Sequence, residues 1–216
     1  FNFELLPVQH SIVEAHGLGI RTPVGNLVHS GDFKTDPDYS AASAVSLEPF
    51  ERWGKEGVLC FLSDSTNSEV LGRTLSEDQV AESLATHLDR QEGRYLVALF
   101  ASNVQRISNL LHLAKERGKK VAFAGRSLHT YISLAHELNA IDIPEDTLIL
   151  LENMEQVPRK DLILVVTGSQ AEPQSALLRI AYDQHKQIKL GPGDTVIMSS
   201  KFIPRSEEHT SELQSR

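Results

Sequence analysis

Cysteine is nearly absent from this 216-residue chain: Cys60 stands alone, which rules out a disulfide framework and fits a reducing compartment. Long apolar runs are missing too, and none approaches the roughly 18 residues that a membrane-spanning helix needs. The opening Phe1-Asn2-Phe3-Glu4 carries neither an initiator Met nor the basic-then-apolar pattern of a secretion signal. The expectation is therefore a soluble, cytoplasmic protein whose reading frame began further upstream. Positive charge is in deficit, with 21 Lys and Arg against 29 Asp and Glu, a formal net charge of −8 with nine His neutral. That balance argues against a protein that coats nucleic acid by bulk charge, because phosphate binding needs local positive potential. It leaves a nucleic-acid enzyme open, since a metal site needs carboxylates and one cleft can be basic in an acidic chain. Neither a Gly-x-Gly-x-x-Gly nor a P-loop sequence is present to support a dinucleotide or nucleoside-triphosphate site.

What is there, 40% hydrophobic residues, suffices for a sizeable core or parts of two. Up to about Ser65 the chain reads as short strands and turns. Gly19-Ile20-Arg21-Thr22 and Asn26-Leu27-Val28-His29 flank Pro23-Val24-Gly25, which predicts a β-hairpin followed by a loop at Gly31-Asp32. Val58 to Leu62 is a continuous apolar run, the pattern of a strand buried on both faces. Beyond it, strands alternate with helices. Ser76 caps a helix through His87, and Tyr95 to Phe100 is a strand. Asn103 opens a helix with Ile107, Leu110, Leu111 and Ala114 on one face, closed by Gly118. Val121 to Ala124 is a strand, and Ser127 is placed as the cap of a helix ending near Leu138. Leu148 to Leu151 and Leu162 to Val166 are expected as buried strands, then a helix over Ser175 to Tyr182 and a strand over Thr195 to Ser199. Such alternation implies right-handed crossovers, a parallel sheet, and ligands at the carboxyl ends of its strands.

On residue type alone, His10 is a loop histidine, Asp32 a turn residue after Gly31, and Asp64 a turn or cap after a strand. Their surroundings change this. Pro7-Val8-Gln9-His10-Ser11-Ile12, Gly17-Leu18-Gly19-Ile20-Arg21-Thr22-Pro23 and His29-Ser30-Gly31-Asp32-Phe33-Lys34 come first. Then follow Leu62-Ser63-Asp64-Ser65-Thr66-Asn67, Phe100-Ala101-Ser102-Asn103, Gly125-Arg126-Ser127, Thr167-Gly168-Ser169-Gln170-Ala171-Glu172-Pro173 and Gly191-Pro192-Gly193-Asp194. In this order they resemble ribonuclease J-type enzymes, zinc-dependent RNA nucleases built from a metallo-β-lactamase domain carrying a β-CASP insertion. The likeness runs from about Leu6 to Pro204. It implies an α/β fold: part of a metallo-β-lactamase αββα domain over residues 1–65, and a β-CASP domain with a largely parallel sheet flanked by helices over 66–204.

The resemblance also implies roles. His10 would bind one of two zinc ions and Asp32 would bridge both, using ordinary zinc donors. Asp32 and Asp64 would occupy the catalytic positions, with Asp64 orienting a ligand and handling protons. RNA is the implied partner, and a dimer or tetramer the implied state of the complete protein. Ser102-Asn103 and Gly168-Ser169-Gln170 each follow a strand and precede a helix, where backbone N–H groups attract phosphate. They are candidates to face RNA, with Arg106 and Arg126 as nearby charges; helix capping alone is the competing account. Lys115, Arg117, Lys119 and Lys120 read as dipole pairing at a helix end. His16 and the helical His87, His112, His129 and His136 are given no role. The family's His-x-His-x-Asp-His motif is missing, as are its downstream His motifs, so the chain alone is expected to be inactive. Arg205 to Arg216 has no apolar periodicity and resembles the translation of a sequencing adapter. Two other readings stay open: an RNA 3′-processing or DNA-acting relative, and a non-catalytic phosphate- or nucleotide-binding α/β module.

Overall fold

The computed structural model describes residues 1–34, 45–72, 74–89 and 93–200. The chain divides into two compact units, Phe1–Val80 and Ala81–Arg216. In the first, β1 (Asn2–Pro7), β2 (His16–Thr22), β3 (Gly25–His29) and β4 (Cys60–Leu62) form one sheet in the order β1-β2-β3-β4. The hairpin of β2 and β3 is the expected one, with Thr22 paired to Gly25 and Leu18 to His29. Alternation along the strands sends Glu4, Leu6, Gly19 and Val28 to one face, where helix α1 (Glu48–Glu56) lies. Trp53 of α1 is wholly buried against Leu6 and Val28, with Phe50 and Val58 at the edge of this small core. A side chain at position 19 would drive into the Trp53 ring, so β2 needs glycine where the indole lies across it.

The opposite face of this sheet carries Phe3, Leu5, Leu18, Ile20, Leu27 and Leu62, and Phe3 and Leu5 are 66% and 65% exposed. The run expected to be buried on both faces behaves differently. Only Cys60–Leu62 forms a strand, it pairs with β3 alone, and Leu59, Phe61 and Leu62 are exposed. A strand at the edge of the described sheet has one neighbour, and nothing among the described residues covers its other side.

Helix α2 (Glu77–Leu88) runs from the end of the first unit into the second, and its capping box is reciprocal. Gln79 N–H donates to Ser76 Oγ at 3.2 Å while Ser76 N–H donates to Gln79 Oε1 at 3.0 Å. Then β5 (Tyr95–Ala98), α3 (Val104–Glu116), β6 (Lys120–Ala124), α4 (Arg126–Glu137), β7 (Leu148–Ile149), β8 (Leu162–Val166), α5 (Ala176–Ala181) and β9 (Thr195–Met198) follow. The sheet is entirely parallel, in the order β7-β6-β8-β5-β9. Leu96, Ala98, Ala122, Ala124, Leu164 and Val166 pack with α5 on one face. Phe123, pointing the other way, meets His129 of α4 edge-on at 6.0 Å. The α3 stripe of Ile107, Leu110, Leu111 and Ala114 is buried as its spacing predicts, and Gly118 closes the helix with φ +61°.

Two expectations for this unit are corrected. Leu148 to Leu151 is not a buried strand: only Leu148–Ile149 pairs, half-buried at the sheet edge, and a 3-10 turn starts at Leu151. Ser127 does not cap α4, because the cap position is Gly125 with φ +147° and the helix begins at Arg126. A Cβ there would sit 2.6 Å from Thr167 Cγ2, so the close passage of β8 fixes where the chain turns. Among the described residues no helix is long and apolar enough to cross a membrane.

Candidate metal and phosphate sites

Strands β1 and β3 each run antiparallel to β2, and β4 runs parallel to β3. The loops leaving β1, β3 and β4 therefore emerge from the same edge of the sheet, and they carry His10, Asp32 and Asp64. Backbone bonds tie them together: Lys34 N–H donates to Gln9 O at 2.7 Å and Ser30 N–H to Leu62 O at 2.9 Å. The Ser30 hydroxyl accepts from Asp64 N–H at 2.8 Å and donates to Gly31 O at 2.7 Å. A Cβ on Gly31 would lie 2.7 Å from His16 O, so the turn before Asp32 closes onto β2 only with glycine.

Asp64 is held ionised. Its Oδ1 accepts the Thr66 N–H at 2.8 Å, and that bond is the largest cause of a lowered pKa. The Thr66 hydroxyl, the Phe33 N–H and nearby His10 lower it further, against a smaller opposing effect of burial. His10 is half-buried, and its Nδ1 is buried with no hydrogen-bond partner. A buried polar atom left so is rare unless a ligand or ion completes it. Asp32 is exposed on the β3 loop. Imidazole nitrogen and carboxylate oxygen are proper zinc donors, so these residues fit one corner of a metal centre. They do not make a whole one: among the described residues no group of three or more His, Cys, Asp and Glu is placed to hold a metal ion. His16 bonds Glu14 O through Nδ1 at 2.6 Å, and His29 Nδ1 accepts the Gly31 N–H at 2.9 Å.

In the second unit the candidate phosphate loops lie at the carboxyl ends of β5, β6 and β8, as expected for a parallel sheet. Most of their polar groups are already engaged. Asn103, 5% exposed, caps α3 by accepting the Arg106 N–H at 3.1 Å. The Arg106 guanidinium donates to Ser199 O at 2.6 Å, joining α3 to the end of β9. Gln170 donates through its amide to Ser200 Oγ at 3.3 Å, and its backbone N–H reaches Glu172. Gly168 has φ +110° and packs against Ser175, the α5 cap, whose hydroxyl accepts the Leu178 N–H at 3.4 Å. Ser102 is half-buried and Arg126 exposed. Ser169 is fully buried, with its hydroxyl unpartnered.

Sequence reasoning passed over Ser30, which ties the loops of the first site together, and Asp194, which braces the second unit. Ser30 lay inside a quoted motif with no role of its own. Asp194, in Gly191-Pro192-Gly193-Asp194, accepts from Arg94 Nε at 3.1 Å, Arg159 Nη2 at 2.7 Å and Gly191 N–H at 3.0 Å. Arg94 also donates to Lys189 O. That cluster fastens the approach to β9 onto the start of β5.

The family model described as the beta-CASP domain of ribonuclease J matches residues 92–214, more than half of the chain. Ribonuclease J of Thermus thermophilus is 38% identical over 216 residues, covering all of this chain and 38% of that protein. Ribonuclease J of Synechocystis is 40% identical over 204 residues, 94% of this chain and 32% of its own length. Ribonuclease J2 of Bacillus subtilis is 35% identical over 198 residues, 92% and 36% respectively. The chain thus spans about a third of the length of these relatives. The family match and the Thermus alignment both continue past Pro204 into the adapter-like stretch, which lies outside the described residues. A crystal structure of a protein of unknown function from Enterococcus faecalis V583 matches with a TM-score of 0.51 at 13% identity, covering 99% of this chain and 55% of that one. It bears on the fold alone. The chain belongs to the ribonuclease J family and has the α/β fold of a β-CASP protein of the metallo-β-lactamase superfamily.

Proposed function

We propose that the complete protein is a zinc-dependent ribonuclease that hydrolyses RNA phosphodiesters both internally and from the 5′ end, in RNA processing and decay. The observation that carries this reading is the convergence of three loops on one sheet edge, with the unpartnered His10 Nδ1 near an ionised Asp64. When bound, two zinc ions supply Lewis acidity toward the phosphodiester. His10 would hold a zinc ion through its ring nitrogen and Asp32 through its carboxylate. Asp64, fixed through Thr66, suits orienting a ligand and balancing positive charge better than carrying a proton, because a base with a depressed pKa takes up protons poorly near neutrality.

The apolar face of the first sheet supports the same reading. Residues 1–65 then form part of an αββα domain whose other layer is supplied by further segments, and 66–204 form the β-CASP domain. A cytoplasmic dimer or tetramer is the proposed working state. The chain alone is inactive, because His10, Asp32 and Asp64 leave two zinc ions under-coordinated.

The test uses the full-length protein: zinc content by metal analysis, and cleavage of end-labelled RNA before and after chelation. Stoichiometric zinc, loss of cleavage on chelation and its return with zinc are expected. His10→Ala should lower bound zinc, and Asp64→Asn should slow cleavage by about 10–100-fold, the scale of losing a group that orients a metal ligand. Undiminished cleavage by a metal-free preparation would falsify the metal reading, and binding of RNA with no cleavage at all would move the protein to the non-catalytic module.

A further inference from the structure

A cleft of about 740 Å³ opens in the second unit beside α5, within the size range of small-molecule sites. Thr167 lines it and stitches three elements together. Thr167 N–H donates to Ala124 O at 3.3 Å, its carbonyl accepts the Leu177 N–H at 2.9 Å, and its hydroxyl accepts the Ala176 N–H at 3.2 Å. Arg126 also lines it, on the first turn of α4, whose N-terminal end adds positive potential. Arg179, Tyr182, Gln184 and His185, from α5 and the turn after it, line it as well.

The charge of this cleft runs against that of the molecule. The chain carries a formal −8, yet the cleft is lined by two arginines and by no Asp or Glu. Neither guanidinium has a hydrogen-bond or ion-pair partner among the described residues, although carboxylates outnumber cations in the chain. His185 is fixed as a neutral donor. Its Nδ1 accepts the Ile188 N–H at 3.1 Å, which leaves the proton on Nε2, and burial followed by the nearby Arg179 charge depresses its pKa. Two guanidinium forks, an imidazole donor, amide groups and a phenol ring make a set suited to phosphate oxygens and to a stacked base.

We propose that this cleft is a nucleotide subsite that holds one or two residues of single-stranded RNA, with Arg126 and Arg179 on phosphates and Tyr182 against a base. The proposal rests on the RNA reading above and deepens it by assigning strand contacts to α5 and the turn after it. A phosphorylated nucleoside is the chemistry recognised, and a free nucleotide is the other source of it.

The experiment uses the 216-residue chain as it stands, with fluorescence anisotropy of a labelled ten-nucleotide single-stranded RNA titrated at several salt concentrations. Arg179→Gln and Arg126→Gln should each weaken binding by about tenfold and reduce the salt slope by about one. Tyr182→Ser should weaken binding while Tyr182→Phe restores it, since the ring and not the hydroxyl stacks. Lys55→Gln, an exposed charge on α1, should leave affinity nearly unchanged, and circular dichroism melts should confirm that every variant is folded. Equal affinity of Arg179→Gln and wild type, or an equal loss in Lys55→Gln, overturns the cleft. So does a wild-type chain that binds no RNA, and that result leaves the nuclease reading to be judged by cleavage in the full-length protein. Uridine monophosphate as competitor separates the two sources. Displacement of RNA only at a large excess supports a strand subsite, whereas displacement at concentrations equal to the RNA assigns the cleft to a free nucleotide instead.

Discussion

Ser30 is 3% exposed and sits between two loops, accepting the Asp64 N–H at 2.8 Å and donating to Gly31 O at 2.7 Å. Removing the hydroxyl leaves a part-buried donor and a part-buried acceptor without that partner, which costs about 1–3 kcal/mol. Ser30→Ala should therefore lower the urea midpoint of the first unit, reflecting a loss of about 1–3 kcal/mol in its unfolding free energy. Trp53, the chain's single tryptophan, reports this unit by fluorescence. An unchanged midpoint would mean that water replaces the hydroxyl without loss. At this scale His10, Asp32 and Asp64 stand out in the sequence because each sits in a distinctive run of neighbours, and the metal roles given to them remain a proposal. The duty of Ser30 was not legible there. Its partner lies 34 residues away and is set by the parallel register of β3 on β4, which pairs Val28 with Phe61 and His29 with Leu62. A distant register leaves no local mark on a serine.

Elements show the same division between near and far. Helix α3 was readable from its apolar spacing and from Asn103 at its start, and α5 as a helical span over Ser175 to Tyr182, because those signals are local. Strand burial was not, since an apolar run looks the same at a sheet's centre and at its edge; β4 and β7 both turned out to be edges. The start of α4 depended on Thr167, far along the chain. Asp194 is another case: its side chain is 2% exposed and that of Arg94 4%, and together with Arg159 they bind the β9 approach to β5. Breaking a buried pair by removing one partner strands the other charge and costs about 3–5 kcal/mol. Asp194→Ala should thus lower the denaturant midpoint of the second unit, read by far-ultraviolet circular dichroism, while the Trp53 fluorescence transition stays in place. A loss below about 1 kcal/mol would show that water reaches Arg94 and that the cluster is less enclosed than its exposure implies.

At the scale of the molecule, the two units rest on different physics. The second buries a continuous apolar layer on its sheet, whereas the first has Leu6, Val28 and Trp53 and leans on charge. Glu4 accepts from Arg52, from Arg21 and from the Trp53 indole, and Arg21 lies over the indole ring at 4.1 Å. The bond from Arg52, followed by those from Arg21 and Trp53, takes the Glu4 pKa from 4.5 to about 2. A carboxylate whose pKa is lower folded than unfolded stabilises the folded state above its unfolded pKa, and that stabilisation fades as pH falls through the two values. Asp64 shifts in the same direction. Acid should therefore act on the first unit early. Between about pH 4.5 and pH 2 the Trp53 transition should move to lower temperature. In Glu4→Gln, which has no carboxylate to protonate there, the wild type's dependence should flatten, leaving what Asp64 contributes. If Glu4→Gln keeps the full wild-type slope, the charge cluster is not what holds α1 to its sheet, and the small apolar core around Trp53 carries the unit unaided.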